Sequence, residues 1–597
     1  MGGPGEVDLP DQQPVGAATT GPQDSSRGVL TVLASTDVHG HLFNWDYFRD
    51  AEYPADPRST GGQATPPLGL ARLATLIEAV RAEQGEDAVA LLDNGDTIQG
   101  TPLTYLAARP GLACDPMARA MNLMAYQACA VGNHEFNYGV ERLLGYAHAL
   151  KAPLLAANAI EISTGEPLTG ATTIIERRVR GHRVRLGVIG VTTPGSAIWD
   201  RGRLVGRVEL TDPVAAAAGC AARLRAEGAD VIVVLAHTGL DEPGRSPIYR
   251  GMAENCATTL ACEVPGIDVV IAGHTHAAPG STVVDGATHR VLIAQPGAWA
   301  SALARIDIPL ILHDGGEPVE VDHSAVGDWH SILATAGARD SEVLAGDPGL
   351  TAAHRHTIDY VNSPIARCTT ALESQFSSVC DTPILDLIAQ TEVDAVAGAL
   401  AELDPPDGAL PVIAQVSPFS RTAVLPAGTV RLRDIAGVYP FENTLAAIRL
   451  TGAQLRDYLE HSASYFAQVP PGTRIDPSPV AEGGVTRATR QGRTVWDYNF
   501  DALTGVSYTI DISRPVGSRI CDLRWQDAAL DPAQPFALAL NNYRLSGGGG
   551  FPHVREAPVL WDGQLEIRQL LIETVSARGV IDPADFFTRN WQVVSGG

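Results

Sequence analysis

Short apolar runs alternate along this chain with stretches of helical periodicity. The apolar runs are typical of strands that are buried on both faces, and they cover residues 29–33, 88–92, 128–131, 184–191, 231–235 and 269–271. Helical patterns cover residues 68–84, 116–125 and 213–227. Because strand and helix signals alternate, the pattern predicts an α/β fold with a largely parallel or mixed sheet covered by helices.

The pattern also divides the chain into regions. A chain of 597 residues is longer than one hydrophobic core usually supports, so at least two domains are expected. We predict a disordered tail over residues 1–28, which are rich in Gly, Pro, Gln, Asp and Ser. We further predict an N-terminal domain over residues 29–320, a linker with a bridging helix over 321–366 and a C-terminal domain over 367–597. A break in the bridging helix is expected at Pro348.

The net charge of the chain limits the classes of binding partner that we expect. The formal net charge is -25. Because affinity for polymeric nucleic acid comes largely from cationic contacts to phosphates, such a partner is not expected. A small phosphate ester stays compatible with this charge, since bound metal cations can supply local positive charge.

The eight cysteines include no CxxC pair, so mostly buried free thiols are expected. A local disulfide between Cys256 and Cys262, or between Cys368 and Cys380, is the alternative in an oxidising compartment. No apolar stretch is long enough to span a membrane, so no membrane partner is predicted. The first 28 residues lack the basic and apolar regions of a signal peptide.

Metal-type side chains follow five of the strand-like runs. They are Asp37 and His39, Asp96, Asn133 and His134, His237, and His274 and His276. A single such residue has ordinary explanations, since an Asp after a strand is usually a helix cap and a buried His is usually a core residue. Five in succession favour a ligand site at the carboxyl ends of the strands. Without His134, seven donors suit a pair of ions about 3.5–4 Å apart.

The order DxH, GD, GNHE, a later His and GHTH resembles the metallophosphoesterase superfamily. The resemblance implies a four-layer αββα domain that binds two divalent ions, with Zn, Mn, Fe and Co as candidates. It implies that one ion is held by Asp37, His39, Asp96 and His276. It implies that the other is held by Asp96, Asn133, His237 and His274, with Asp96 bridging.

The same resemblance implies hydrolysis of a phosphate ester by an activated water. We assign to His134 the stabilisation of the transition state and protonation of the leaving oxygen, and a purely structural role is the alternative. Glu135 is expected to orient its neighbours rather than to catalyse.

Three segments of the second half resemble the C-terminal α+β domain of the 5′-nucleotidase family. They are YPFENTLAAIRLTGAQLRDYLEHSASYF, YNFDALTGVSYTIDISRPVGSRI and NNYRLSGGGGFP. More narrowly, they resemble its 2′,3′-cyclic-nucleotide 2′-phosphodiesterase/3′-nucleotidase branch. This implies that Phe441 and Tyr543 stack the nucleobase, that Asn443 contacts the ligand and that Arg421 is a candidate phosphate contact. From composition alone, these aromatic residues would be assigned to the core.

Two departures from the 5′-nucleotidase pattern favour the cyclic-phosphodiesterase branch. Asn137 stands where 5′-nucleotidases have the aspartate of GNHEFD, and Gly547 to Gly550 replace an aspartate-containing loop. The four glycines allow close approach of a ligand to the backbone, and a flexible loop is the alternative.

We therefore predict a hydrolase that converts ribonucleoside 2′,3′-cyclic phosphates to 3′-nucleotides and then to nucleoside plus phosphate. A 5′-nucleotidase or nucleotide-sugar hydrolase is the nearest alternative, and a thiosulfonate hydrolase is more distant. A non-catalytic nucleotide-binding protein is the alternative from another class. The resemblance implies a periplasmic or extracellular location, whereas the first 28 residues show no export signal. The sequence therefore does not decide the compartment.

Overall fold

The structure is a computed structural model that describes residues 26–53, 67–241, 248–249, 251–313, 318–401, 410–419, 421, 423–439, 441, 443–478, 484–486, 489–490, 493–494 and 499–596. Residues 1–25 of the predicted tail lie outside the described residues.

Two mixed β-sheets form the centre of the N-terminal domain. The first has seven strands, ordered Glu320–Val321, Ala302–Ile311, Arg27–Ser35, Val89–Asp93, Ala128–Ala130 and Leu154–Leu155, with His330–Ala334 also paired to Ala302–Ile311. The second has six strands, ordered Gly280–Asp285, Arg290–Gln295, Val269–Ala272, Val231–His237, His182–Thr192 and Thr172–Val179. In each sheet the inner strands pair in parallel. Antiparallel strands complete both edges of the second sheet and one edge of the first, whose other edge strand, Leu154–Leu155, is parallel to its neighbour. The predicted mixed sheet is confirmed.

Alternate residues of the central strands face different cores. In Arg27–Ser35, Leu30 and Val32 lie in the core between the two sheets, whereas Leu33 packs towards the helices. The strand Val231–His237 alternates in the same way between the inter-sheet core and an outer core. Both faces are therefore apolar, which is why these strands are continuous apolar runs in the sequence.

Helices cover the outer face of each sheet. Leu70–Gln84, Pro116–Met124 and Val140–Ala149 pack on the first sheet, and Pro213–Ala226 and Ala257–Glu263 pack on the second. Asp115 and Asp212 cap two of these helices by accepting hydrogen bonds from main-chain N–H groups of the first turn, just before a proline. The layers therefore run helix, sheet, sheet, helix, which confirms the predicted αββα architecture.

The C-terminal domain is built around one core of its own. Its five-stranded sheet is ordered Ala502–Thr504, Val412–Val416, Pro535–Asn541, Thr444–Thr451 and Val559–Glu566. Smaller sheets contain Ala528–Ala529, Ile520–Trp525, Ser507–Asp511 and Trp591–Val594, and Gly428–Arg431, Pro364–Cys368 and Val580–Ile581. The main helices are Pro383–Ala401, Leu432–Val438, Gly452–Ala463 and Ile567–Arg578.

A bridging helix, Pro348–Val361, links the two domains. A short helix, Glu342–Ala345, precedes it, and the predicted break falls where Asp347 caps the new helix and Pro348 takes its first position. Leu350 packs in the core of the N-terminal domain.

Direct contacts also join the two domains. The Tyr105 hydroxyl donates to Oε1 of Gln569 over 2.5 Å, and Arg433 pairs with Asp50 at 3.1 Å. The N- and C-terminal domains therefore contact each other away from the bridging helix as well.

All eight cysteines are free thiols, as predicted, but only four of them are buried and the other four are partly exposed. Within the described ranges, none of the helices combines the length and apolar character needed to cross a membrane.

Candidate active site

Seven metal-type donors that are distant in sequence meet at one end of the two sheets. Asp37 and His39 follow Arg27–Ser35, Asp96 follows Val89–Asp93, and Asn133 follows Ala128–Ala130. In the second sheet, His237 ends its strand, and His274 and His276 follow Val269–Ala272. Parallel strands bring these loops to the same edge, as the rule for ligand sites in α/β sheets predicts.

Two groups of donors can be distinguished, and each is compact enough to surround a cation. In the first, made of Asp37, His39 and His276, the Nε2 atoms of the two histidines are 2.9 Å apart, and Nε2 of His276 is 3.4 Å from Oδ1 of Asp37. In the second, made of Asp96, His237 and His274, Nε2 of His237 is 3.0 Å from Oδ2 of Asp96.

Asp96 lies between the two groups. Its Oδ1 accepts a hydrogen bond of 2.8 Å from the main-chain N–H of His134. Its Oδ2 is 3.0 Å from His237 and 3.8 Å from Nε2 of His39, so this one oxygen reaches both groups. The geometry fits the bridging role predicted for Asp96.

The hydrogen bonding of these donors fits the ligation of cations. Oδ2 of Asp96 and Nε2 of His237 are buried and form no hydrogen bond. The Nδ1 atoms of His39 and His237 contact the carbonyls of Gln99 and Asn94, at 3.0 and 2.7 Å. A carbonyl only accepts, so Nδ1 of each ring carries the proton and Nε2 presents a lone pair to the site.

His274 presents its other nitrogen. Its Nε2 lies 3.0 Å from the Glu254 carboxylate, to which it can donate, and its Nδ1 lies 2.8 Å from Oδ1 of Asn133. Two acceptors at this separation are reconciled by a cation between them. The donors thus fit two divalent ions, and their nitrogen and oxygen chemistry suits Zn²⁺, Mn²⁺ or Fe²⁺.

The electrostatics of the site agree with this interpretation. Burial opposes a charge on His237, but Asp96 raises its pKa to about 10. Burial would also raise the pKa of Asp96, yet His237 and His134 hold it well below its usual range. Burial lowers the pKa of His39 to about 3, which keeps its imidazole neutral for ligation. The pocket therefore favours positive charge beside Asp96.

Five of the seven donors adopt left-handed backbone conformations. Asp37, His39, Asp96, His274 and His276 have φ values of 50°, 48°, 57°, 68° and 49°. Each such residue costs about 1–3 kcal/mol, and strain of this kind gathers at functional sites. The tight turns place Asp37 and His39 in the same group of donors and direct His274 and His276 into different groups.

Glu135 organises the loops beneath the donors. It is fully buried, and its Oε2 accepts hydrogen bonds from the main-chain N–H groups of Gly132 at 2.6 Å and Asp96 at 2.8 Å. Its Oε1 accepts from Thr97 at 2.6 Å and Ile98 at 3.2 Å. These contacts fit the orienting role predicted from the sequence.

His134 is connected to a carboxylate that sequence reasoning missed. Its Nδ1 lies 2.6 Å from Oδ1 of Asn137, and the amide of Asn137 donates to both carboxylate oxygens of Asp200, at 3.1 and 3.2 Å. Asp200 is buried, and burial raises its pKa to about 6. Burial disfavours the imidazolium of His134, but Asp96, Asn137 and Asp200 raise its pKa overall.

The C-terminal domain presents two exposed aromatic rings. Phe441 and Tyr543 are 39% and 38% exposed, so neither is a core residue. The Phe441 ring contacts Phe419 at 5.3 Å between centroids. A Cβ at Gly548 would lie 2.5 Å from the Tyr543 ring, so the glycine run lets this ring rest on the backbone.

A buried ion pair supports this surface. Arg544, next to Tyr543, donates to Oδ2 and Oδ1 of Asp501 at 2.6 and 2.8 Å, and Tyr458 donates to the same carboxylate at 2.5 Å. The sequence carried no local signal for this pairing.

Asn542 brings Tyr543 towards the metal-type donors. Its amide donates to the Trp199 carbonyl at 3.4 Å, and the Trp199 ring stacks on His274 at 5.5 Å.

The other two predicted substrate residues contact protein groups. The Asn443 amide donates to the Tyr439 hydroxyl at 3.4 Å. Arg421 donates to the Pro477 carbonyl and to the hydroxyls of Tyr465 and Thr486. Their contacts with a substrate stay predictions.

Two family models match the chain. The calcineurin-like phosphoesterase model matches residues 30–278, and the model of the 5′-nucleotidase C-terminal domain matches residues 364–556. These matches correspond to the two structural domains.

Relatives and solved structures match along most of the chain. The chain is 31% identical to the 2′,3′-cyclic-nucleotide 2′-phosphodiesterase/3′-nucleotidase of Haemophilus influenzae, over 95% of this chain and 87% of that protein. It is 30% identical to the trifunctional nucleotide phosphoesterase protein YfkN of Bacillus subtilis, over 94% of this chain but 39% of that protein, so it spans less than half of that relative's length. A Staphylococcus aureus structure assigned as a 5′-nucleotidase shares the fold, with a TM-score of 0.71 and 24% identity over 95% of this chain and 100% of that chain.

Proposed function

This chain belongs to the 5′-nucleotidase family of metallophosphoesterases, and from that membership we propose that it hydrolyses ribonucleoside 2′,3′-cyclic phosphates to 3′-nucleotides and then to nucleoside plus phosphate. The observation that carries the proposal is the match to the Haemophilus influenzae relative, which extends through both domains. It is supported by a donor set for two cations beside a histidine and two exposed aromatic rings.

The proposed metal ligands are Asp37, His39, Asp96 and His276 for one ion, and Asp96, Asn133, His237 and His274 for the other. Bound divalent ions would activate water and neutralise phosphate oxygens. Asp96 would contribute its charge to both positions. The imidazoles would contribute nitrogen ligands, with His237 releasing on metal binding the proton that its raised pKa favours.

His134 is proposed to protonate the leaving oxygen. Nδ1 of His134 donates to Asn137, because the amide oxygen of Asn137 only accepts. The imidazolium form therefore carries its second proton on Nε2, and this is the proton that would pass to the leaving oxygen. Asn137 is in turn anchored by Asp200, so a carboxylate acts on the imidazole through an intervening amide. Asp200 is a positioning residue in this scheme.

Phe441 and Tyr543 are proposed to stack the nucleobase, with Asn443 and Arg421 as further ligand contacts. Stacking against aromatic rings tolerates different bases, because every base has a π-face. Nucleotides are therefore the proposed substrates, whichever base they carry.

A substrate panel tests the proposal. Initial rates on 2′,3′-cyclic AMP, 3′-AMP and 5′-AMP are compared with added Mn²⁺ or Zn²⁺. We expect hydrolysis of the first two, with 3′-AMP appearing as an intermediate of the first reaction. Strong activity on 5′-AMP alone would instead identify a 5′-nucleotidase.

A further inference from the structure

The two proposed metal positions differ in the negative charge of their direct ligands. Both share the carboxylate of Asp96, but only the first group of donors contains a second carboxylate, that of Asp37. The remaining donors of the second position are the Asn133 amide and the imidazoles of His237 and His274. With one shared carboxylate, the second position offers a divalent cation less charge attraction from its direct ligands.

A carboxylate stands behind one imidazole of the second position. Oε1 of Glu254 is 3.0 Å from Nε2 of His274, and the two side chains are 15% and 11% exposed. The other ring nitrogen, Nδ1, faces the site, where it lies 2.8 Å from Oδ1 of Asn133. Because an ionised carboxylate only accepts, Nε2 of His274 donates to Glu254, and Nδ1 presents its lone pair to the metal position.

Two other ligand imidazoles have neutral partners behind them. The Nδ1 atoms of His39 and His237 donate to the carbonyls of Gln99 and Asn94. A carbonyl orients the ring without a net charge, whereas a carboxylate also makes the imidazole a more basic ligand. Of these three ligands, His274 is the one whose far nitrogen is backed by a negative charge.

The main chain fastens Glu254 to the loop that carries another ligand. Its carbonyl accepts hydrogen bonds from the hydroxyls of Thr193 at 3.0 Å and Thr238 at 2.8 Å, and Thr238 directly follows His237. The Thr238 hydroxyl also accepts from the main-chain N–H of Cys256, at 3.1 Å. Both threonines are buried. The backbone that carries the carboxylate is therefore fixed beside the imidazole.

We propose that Glu254 is a positioning residue that supplies negative charge to the second metal position through His274. It holds His274 in the tautomer that ligates through Nδ1, and it strengthens that ligand, so an ion binds more tightly at the second position. The first position has two carboxylates among its own ligands and does not depend on Glu254. This inference rests on the proposed ligand set and not on the proposed substrate.

Stepwise metal binding tests this role. The full chain is freed of metal with a chelator and titrated with Co²⁺, and calorimetry follows the two binding steps in the wild type, Glu254→Gln and Glu254→Ala. In both variants we expect one step to weaken about 10–100-fold while the other keeps its wild-type affinity. Gln should lose less than Ala, because its amide oxygen still accepts from Nε2 of His274. The matched control, Glu263→Gln at the exposed end of the next helix, should keep both steps.

The Nε2 proton of His274 gives a readout that a folding defect does not mimic. In the Co²⁺-loaded chain, the exchangeable N–H protons of the ligand imidazoles give separately shifted NMR signals. We expect one of them to move in Glu254→Gln and to be lost by exchange with water in Glu254→Ala, while the others stay in place.

Two failures of the inference are distinguishable from a failure of the ligand set. Equal weakening of both steps would assign Glu254 a general structural role, and unchanged affinities in Glu254→Ala would remove its role altogether. A wild-type chain that binds fewer than two ions would instead overturn the proposed ligand set, and this inference with it. The proposed substrate is tested separately, by the panel of nucleotides.

Discussion

At the scale of single residues, His134 differs from a histidine that is hydrogen-bonded directly to a carboxylate. The amide of Asn137 stands between the imidazole and Asp200, and both links are within hydrogen-bond distance. An amide orients the ring without placing a full charge against it. The charge of Asp200 therefore acts on His134 from a greater distance, where it affects proton donation more weakly.

Replacing Asp200 with Asn should slow the steps in which the leaving oxygen needs a proton. We expect kcat for 2′,3′-cyclic AMP to fall about 10–100-fold with little change in KM, since loss of support for a general acid removes part of its contribution. A 4-nitrophenyl phosphodiester should be affected less, because nitrophenolate leaves without protonation. Steady-state kinetics on both substrates measure the difference.

The control for this variant is Asp212→Asn, which alters a helix cap away from the site. Equal losses on both leaving groups would assign Asp200 a purely structural role.

At the scale of elements, short loops at strand ends do most of the positioning. The loops after Val89–Asp93 and Ala128–Ala130 are fastened together by Glu135, whose carboxylate accepts four main-chain hydrogen bonds. Asp96 and Asn133 are carried by these loops. The position of Asp96 relative to Asn133 therefore depends on one buried side chain.

Glu135→Gln should weaken metal binding without touching a ligand. The amide nitrogen would face main-chain donors, so we expect a loss of about 1–3 kcal/mol in the free energy of unfolding. Metal affinity should fall about 10–100-fold, as for other groups that orient ligands. Competition with a chromophoric chelator measures the affinity. Glu141→Gln, an exposed change on the next helix, should match wild type, and unchanged affinity in Glu135→Gln would contradict the argument.

Two aspartates at the start of the helix Pro383–Ala401 should make the free energy of unfolding depend on pH. Burial, and then Asp386, raises the pKa of Asp381 to about 7, and burial raises that of Asp386 to about 6. An Asp in an unfolded chain titrates near about 3.9. Between these values the folded state holds more protons than the unfolded state, so stability falls as pH rises from about 4 to about 7.

Asp381→Asn should remove part of this loss of stability at high pH. We expect it to be more stable than wild type at pH 8 by on the order of 1–2 kcal/mol, with the advantage disappearing near pH 4. Thermal melts across this pH range measure the effect. The control is Asp394→Asn, an exposed change on the same helix. If Asp381→Asn differs in stability from wild type by the same amount at every pH, the titration argument is refuted.

These elements also show which features are visible in a sequence. Strands buried on both faces and donors at their ends leave continuous local patterns, so a layered α/β fold and the order of donors were predictable. The four-layer αββα arrangement followed from the family resemblance. Asp200 and Glu254 leave none, because each acts on a partner far away in the chain. The ion pair of Asp501 and Arg544 is equally non-local. Such pairs are specified by tertiary packing rather than by any periodicity.

At the scale of the whole molecule, two independently packed domains contribute to one site. Asn542 of the C-terminal domain donates to the carbonyl of Trp199, whose ring stacks on His274. Phosphate chemistry thus lies in one domain and the exposed rings in the other. Under the proposed function, this division would let one set of donors act on nucleotides with different bases.

Tyr543→Ala should separate the contributions of the two domains. Loss of one stacking ring is worth about 1–3 kcal/mol per base, so we expect KM for 2′,3′-cyclic AMP and 3′-AMP to rise by about 10-fold or more. A phosphodiester without a nucleobase, bis(4-nitrophenyl) phosphate, should be hydrolysed at the wild-type kcat/KM, because the donors of the N-terminal domain are unchanged. Tyr543→Phe keeps the ring and should keep the wild-type KM for nucleotides. If Tyr543→Ala lowers the rate on both substrate types equally, the ring supports the docking of the domains rather than the base.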